Sequence, residues 1–190
     1  MDDREMKKRY QHGEREFSEI RLAYANLNGA DLNGVNLSGA SLFVSRMALA
    51  ELREADLSGA NLVGADLGGA CLRAVCLTDA TLTGADIHDA DLGGGSTDLR
   101  RANLAWSDLR GAILSQACLD GADLTGANLE NAVLTGASLR QAILTDALLS
   151  NADFTGANMT DAVLLGTDLC DVVMPDGRKK GLDRSHVGKC

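Results

Sequence analysis

From Phe17 to Leu92 a large apolar residue returns at every fifth position; after a jump of seven across Gly93–Thr97 the beat resumes at Leu99 and runs to Met174. Of these 32 centres 26 are leucine, the others being Phe17, Met47, Ile87, Phe154, Met159 and Met174, and 23 have alanine two places earlier. On an α-helix five residues advance about 500°, so the leucines would circle the axis without forming a stripe. On a flat strand an odd period would send successive leucines to opposite faces. A short extended segment followed by a right-angle corner buries them all. Four such sides close a coil of twenty residues, and coils stack at the spacing of paired strands, about 4.8 Å.

The corners carry their own signal. The second residue after the centre is glycine fourteen times, and elsewhere often Asn or Asp, as at Asn131, Asn151, Asp79 and Asp161. A type II turn needs positive φ at its third residue, which these types tolerate best. The residue before the centre is typically Asp, Asn or Ser and faces solvent. Alanine beside leucine implies a narrow, dry interior, and no ligand cavity is expected.

The word A-(D/N)-L-x-x, as in Ala55–Gly59 and Ala127–Asn131, resembles the pentapeptide-repeat family over about residues 15–174. The resemblance implies an all-β fold, the right-handed quadrilateral β-helix. Thirty-two centres make about eight coils, roughly 38 Å of stacked length. The run RYQHGEREF resembles the N-terminal segment of several cyanobacterial members, one of which acts on heterocyst differentiation through protein contacts, and MPDG (174–177) resembles the family's frequent closing turn.

A solenoid's terminal coils need covering. Residues 1–14 are expected to form a capping helix, with Asp2 or Asp3 as N-cap, Met6 and Tyr10 on one face and Gly13 as terminator. The solenoid spans 15–174 with a loop at 93–97, and 175–190 reads as a basic tail. No secretory leader precedes the five cysteines, which together with the absence of a long apolar run suggests free thiols in a cytoplasmic protein.

Function must then be written on the surface. Residues 17–170 hold 19 acidic and 8 basic side chains and no lysine, within a chain of net charge −9. That disfavours direct nucleic-acid binding. His12, His88 and His186 are too dispersed for a triad or metal set, and no phosphate loop or nucleophile elbow occurs, so the chain reads as no enzyme, with no cofactor and no metal. Two surface features stand out. Arg73, Arg100, Arg101, Trp106 and Arg110 flank the glycine loop, with a composition typical of binding hot spots. Outward Ile113, Val133, Ile143 and Val163 suggest a subunit or partner face, with a weaker patch at Tyr24, Phe43, Val44 and Leu49.

The leading expectation is a non-enzymatic scaffold or regulator, monomeric or homodimeric, offering a rigid rod to a protein partner. The alternative, implied by the resemblance, is a gyrase-directed DNA mimic: some members match duplex DNA in width, rod shape and negative surface. The outward acids fall on all four sides, which favours the protein partner.

Overall fold

The computed structural model describes residues 1–180; the tail's Arg184, His186, Lys189 and Cys190 lie outside the described residues. Twenty-eight parallel backbone pairings link the residue before each centre with its counterpart one coil on, from Glu16–Asn36 to Asp153–Val173. Every partner is twenty residues away except in the four pairings that cross the glycine loop, such as Cys76–Asp98, where the separation is twenty-two. Eight coils of four sides result. We number the sides by their first outward residue: side 1 begins at Glu16, side 2 at Arg21, side 3 at Asn26 and side 4 at Asp31.

Positive φ occurs at the second position after 31 of the 32 centres, the exception being Asp176, where it moves to Gly177. The corner closes with a bond from the next inward residue to the centre carbonyl, as in Ala30 N to Leu27 O at 3.0 Å. Between coils, centre, outward and corner amides all donate to neighbouring carbonyls, for example Leu27 N to Arg46 O (2.7 Å) and Gly29 N to Ala48 O (2.8 Å). Leucine and alanine of all sides fill one continuous core. This satisfies the backbone polar groups that such a dry interior would otherwise strand.

The loop keeps the columns in line. Thr97 takes the inward place usually held by alanine and is fully buried. The carbonyl that Ala74 N would meet is displaced by the extra residues, and Thr97 Oγ1 accepts that bond instead at 2.9 Å. The two added residues are thus absorbed at one corner without rotating the later coils.

The N-terminal helix α1 runs Asp3–Gln11, capped by the Asp2 carboxylate, which accepts from Glu5 N. It lays buried Met6 and Tyr10 onto the first coil, and Tyr10 donates its hydroxyl to Asn33 O at 2.8 Å. At the other end the chain does not leave the solenoid at 175. Residues 178–180 turn back antiparallel to 172–174, with Met174 N on Arg178 O (2.9 Å) and Lys180 N on Val172 O (2.8 Å).

Two inward hydroxyls test this packing from opposite directions. Ser45 is buried with no partner for its Oγ. Ser45→Ala restores the consensus residue and should raise stability by about 1 kcal/mol, whereas Thr97→Val strands Ala74 N and should lower it by about 1–2 kcal/mol. Chemical denaturation of the two variants checks both signs.

Candidate interaction surface

Each repeat exposes three side chains: the residue before the centre and the two corner residues after it. Sequence neighbours five apart therefore lie on different sides, while residues twenty apart stack in a column. Arg73 falls at the corner after side 4, Arg100 and Arg101 after side 1, Trp106 after side 2 and Arg110 after side 3. The structure brings together Arg100 and Arg101 and distributes the rest around the rod. Ile113 and Val133 pair on side 4, Ile143 and Val163 on side 2, which are opposite faces.

The arginines are held by local carboxylates. Arg100 clasps Asp98 through Nε and Nη2 (2.9 and 2.6 Å), and Arg110 clasps Asp108 in the same way. Arg101 reaches one coil down to Asp79 at 2.7–2.8 Å, and Arg73 makes a longer contact with Asp91 at 3.5 Å. Hydrogen bonds from these guanidinium groups hold the Asp79, Asp98 and Asp108 carboxyls below the usual carboxylate range. On side 3, Asp86 accepts from His88 Nδ1 at 2.5 Å and raises the imidazole's pKa. The guanidinium groups are exposed and no partner of these pairs is fully buried, so the pairs orient side chains more than they stabilise the fold.

Charge divides unequally among the sides. Counting each side with the corner after it, sides 1, 3 and 4 carry ten, nine and eight charged residues, and side 2 carries only Arg21, Asp123 and Asp146. The corresponding net charges are −4, −5, −4 and −1. The acids do reach all four sides, but side 2 has two of them. Side 2 also holds Tyr24, Val44, Trp106, Ile143, Val163 and Leu165, six of the nine exposed large hydrophobics of the coils. Val63 and Leu165 join this face without having stood out in the sequence; reading every fourth word brings them into line.

The corner after side 2 is unusual for what it places in left-handed backbone. Tyr24 (φ 63°), Val44 (φ 51°) and Trp106 (φ 61°) occupy positions that glycine fills at Gly64, Gly84, Gly126 and Gly166. The Tyr24 ring meets Phe43 edge-on at 5.6 Å, and the Trp106 indole lies over Gly126, filling the space of a missing Cβ, while remaining 65% exposed. Such a conformation costs a bulky L-residue roughly 1–2 kcal/mol.

The carboxyl shifts set the pH behaviour. Because Asp98 and Asp108 are depressed when folded, their contribution is present above the unfolded carboxylate pKa and is lost as pH falls through the lower folded value. Carboxyl NMR titration should find both midpoints below the usual range, and Arg100→Ala should move Asp98 upward while leaving Asp108 in place.

The pentapeptide repeat model matches eight copies in residues 16–42, 50–79, 95–126, 119–151 and 144–174. HetL, a pentapeptide repeat protein involved in heterocyst differentiation regulation in the cyanobacterium Nostoc sp. strain PCC 7120, is 32% identical over 94% of this chain and 99% of its own, with a TM-score of 0.40. Rfr23 from the cyanobacterium Cyanothece 51142 is 24% identical over 90% of this chain and 99% of its own, with a TM-score of 0.33. Full-length QnrB1, a plasmid-mediated fluoroquinolone resistance protein, is 19% identical over 82% and 84% of the two chains with a TM-score of 0.52, a likeness of fold alone. No curated protein sequence matches the chain. Among the described residues no helix is long and apolar enough to cross a membrane. With the repeat matched over most of its length and the right-handed quadrilateral β-helix that the repeat implies, this chain belongs to the pentapeptide repeat family.

Proposed function

We propose that the chain is a non-enzymatic interaction protein that acts by offering side 2 of a rigid solenoid to a protein surface. The carrying observation is the concentration of apolar and aromatic side chains on the one nearly uncharged side of an acidic rod. Burial of such side chains supplies binding free energy, and Tyr and Trp are the types enriched where that energy concentrates. The strained corner supports the same reading. Tyr24, Val44 and Trp106 hold conformations that glycine would relax, a pattern expected where binding rather than folding determines the residue. Trp106 is retained from the cluster beside the loop; the arginines, clasped by their own carboxylates, are assigned no role. HetL is involved in heterocyst differentiation regulation, and a regulator working by contact is compatible with such a face.

A second reading is a DNA mimic directed at a topoisomerase. It is favoured by acid on three contiguous sides, 3, 4 and 1, and by the fold shared with QnrB1. The embedded arginines Arg73, Arg100, Arg101 and Arg110 break those sides into separate acidic patches.

Gyrase titration and crosslinking separate the readings. Gyrase supercoiling titrated with the protein, with and without a quinolone, should be unchanged; inhibition or drug protection at low micromolar protein would promote the mimic. Val44→Gly should stabilise the fold by about 0.5–1 kcal/mol, because glycine accepts φ near 51° freely. A photo-crosslinking residue placed at Phe43 should give protein adducts that Val44→Gly and Trp106→Gly reduce, and a crosslinker at Asn131 should not. Equal adducts from both sites would sink the side 2 assignment.

A further inference from the structure

Apart from Trp106 in coil 5 and half-buried Val63 in coil 3, the large apolar residues of side 2 lie towards its two ends. Tyr24, Phe43 and Val44 belong to coils 1 and 2, and Ile143, Val163 and Leu165 to coils 7 and 8. Between them the outward column is polar but nearly uncharged: Asn61, Thr81, Asn103 and Asp123. A face with matching apolar ends and a hydrogen-bonding middle is complementary to itself. We propose that side 2 pairs with side 2 of a second copy of this chain, the rods antiparallel, so that coil 1 lies against coil 8. This rests on the reading of side 2 as the interaction face and names its partner.

Three observations favour a second copy in that orientation. First, the chain is acidic, and side 2, at net −1, is the side on which two copies approach with least repulsion. Second, the charges choose the direction. A parallel pair sets Arg21, Asp123 and Asp146 each against its own copy. An antiparallel pair sets coil 6 against coil 3 and brings Asp123 opposite Asn61, whose Oδ1 is occupied by Val63 N at 3.1 Å, leaving its amide N–H groups to face outward. Asp146 then meets coil 2 and Arg21 meets coil 8, neither of which adds a charge to side 2.

Third, the corner columns interlock near the two-fold axis. In the antiparallel register Trp106 comes opposite Gly84, whose missing Cβ leaves open space, while Tyr24 comes opposite Gly166, over which the Asp146 carboxylate lies. The two-fold axis passes between coils 4 and 5. An even quarter of the chain's 9040 Å² of accessible surface is larger than the roughly 800 Å² per partner of a standard stable interface.

The test uses the full chain and reads its mass by light scattering and sedimentation across protein concentrations. The expected species at tens of micromolar has twice the 19.9 kDa chain mass. Ile143→Asp, at an exposed position, should weaken association at least about tenfold without lowering the melting temperature. Asn61 then fixes the direction. N61D faces Asp123 in the antiparallel pair and should weaken it about fivefold at low salt, while N61K should tighten it by about as much. A chain that stays at 19.9 kDa throughout overturns the proposal, yet leaves the crosslinking test of side 2 to stand or fall separately. A dimer indifferent to I143D uses another surface and also overturns it. If N61D and N61K both weaken a dimer that I143D disrupts, the rods are parallel and the antiparallel pairing is wrong.

Discussion

A backbone that must turn inward every five residues has one place to do it, and the left-handed residue two positions after each centre is that place. With φ positive there, the next amide closes onto the centre carbonyl and the following alanine and leucine point back to the axis. Stacking then gives the remaining donors and acceptors their partners in the coils above and below. Neither part is stable without the other. A single coil would strand its ladder groups, and a stack without regular corners would lose the inward direction. The narrow interior that results is filled by leucine and alanine, so variation in side-chain chemistry is confined to the three outward positions of each word.

The stacking also rewrites adjacency. Successive words are a quarter-turn apart, so a run of chemically interesting residues such as Arg100, Arg101, Trp106 and Arg110 is carried round the rod instead of being gathered. Residues twenty apart are neighbours, and across the glycine loop twenty-two apart. The loop is neutral in this respect, because Thr97 restores both the inward position and the bond to Ala74 before the next side begins. Side 2 is continuous over all eight coils for that reason. An insertion that shifted the later coils by one side would have split it between two faces.

The period of five and the glycine-rich corners were enough to read the coil from the sequence, since both are local and repeat many times. The helix over Asp3–Gln11 was equally legible from Asp2, the Met6–Tyr10 spacing and Gly13. The surface was less so. Ile113, Val133, Ile143 and Val163 read together as one outward apolar set, but Ile113 and Val133 stack on side 4 and Ile143 and Val163 on side 2, which faces the opposite way. The weaker patch at Tyr24, Phe43 and Val44 shares its side with Ile143 and Val163 at the far end of the rod, a relation that depends on counting words by fours through the loop. Leu49, read with that patch, sits at the corner after side 3. Nor does sequence proximity reveal that Arg101 reaches down a coil to Asp79 while Arg100 turns to its own Asp98.

Strain gives the corner after side 2 a meaning that composition alone lacks. Elsewhere the non-glycine residues at left-handed positions are mostly Asp, Asn, Gln, Glu or Arg, whose exposed polar groups keep their hydration; Leu49 and Ala74 are the exceptions. Tyr24, Val44 and Trp106 combine an unfavourable backbone conformation with exposed apolar surface, two terms that each oppose their presence in an isolated rod. Their intramolecular contacts, an edge-on ring pair and an indole over a glycine, offset part of that cost but leave the outer faces of Tyr24 and Trp106 in water. In the proposed pairing the remaining cost is offset by a surface that removes those faces from solvent. A partner suited to that face would be nearly uncharged and recessed where the indole projects, and the same side, turned end for end, presents the open corner of Gly84 at the height of Trp106.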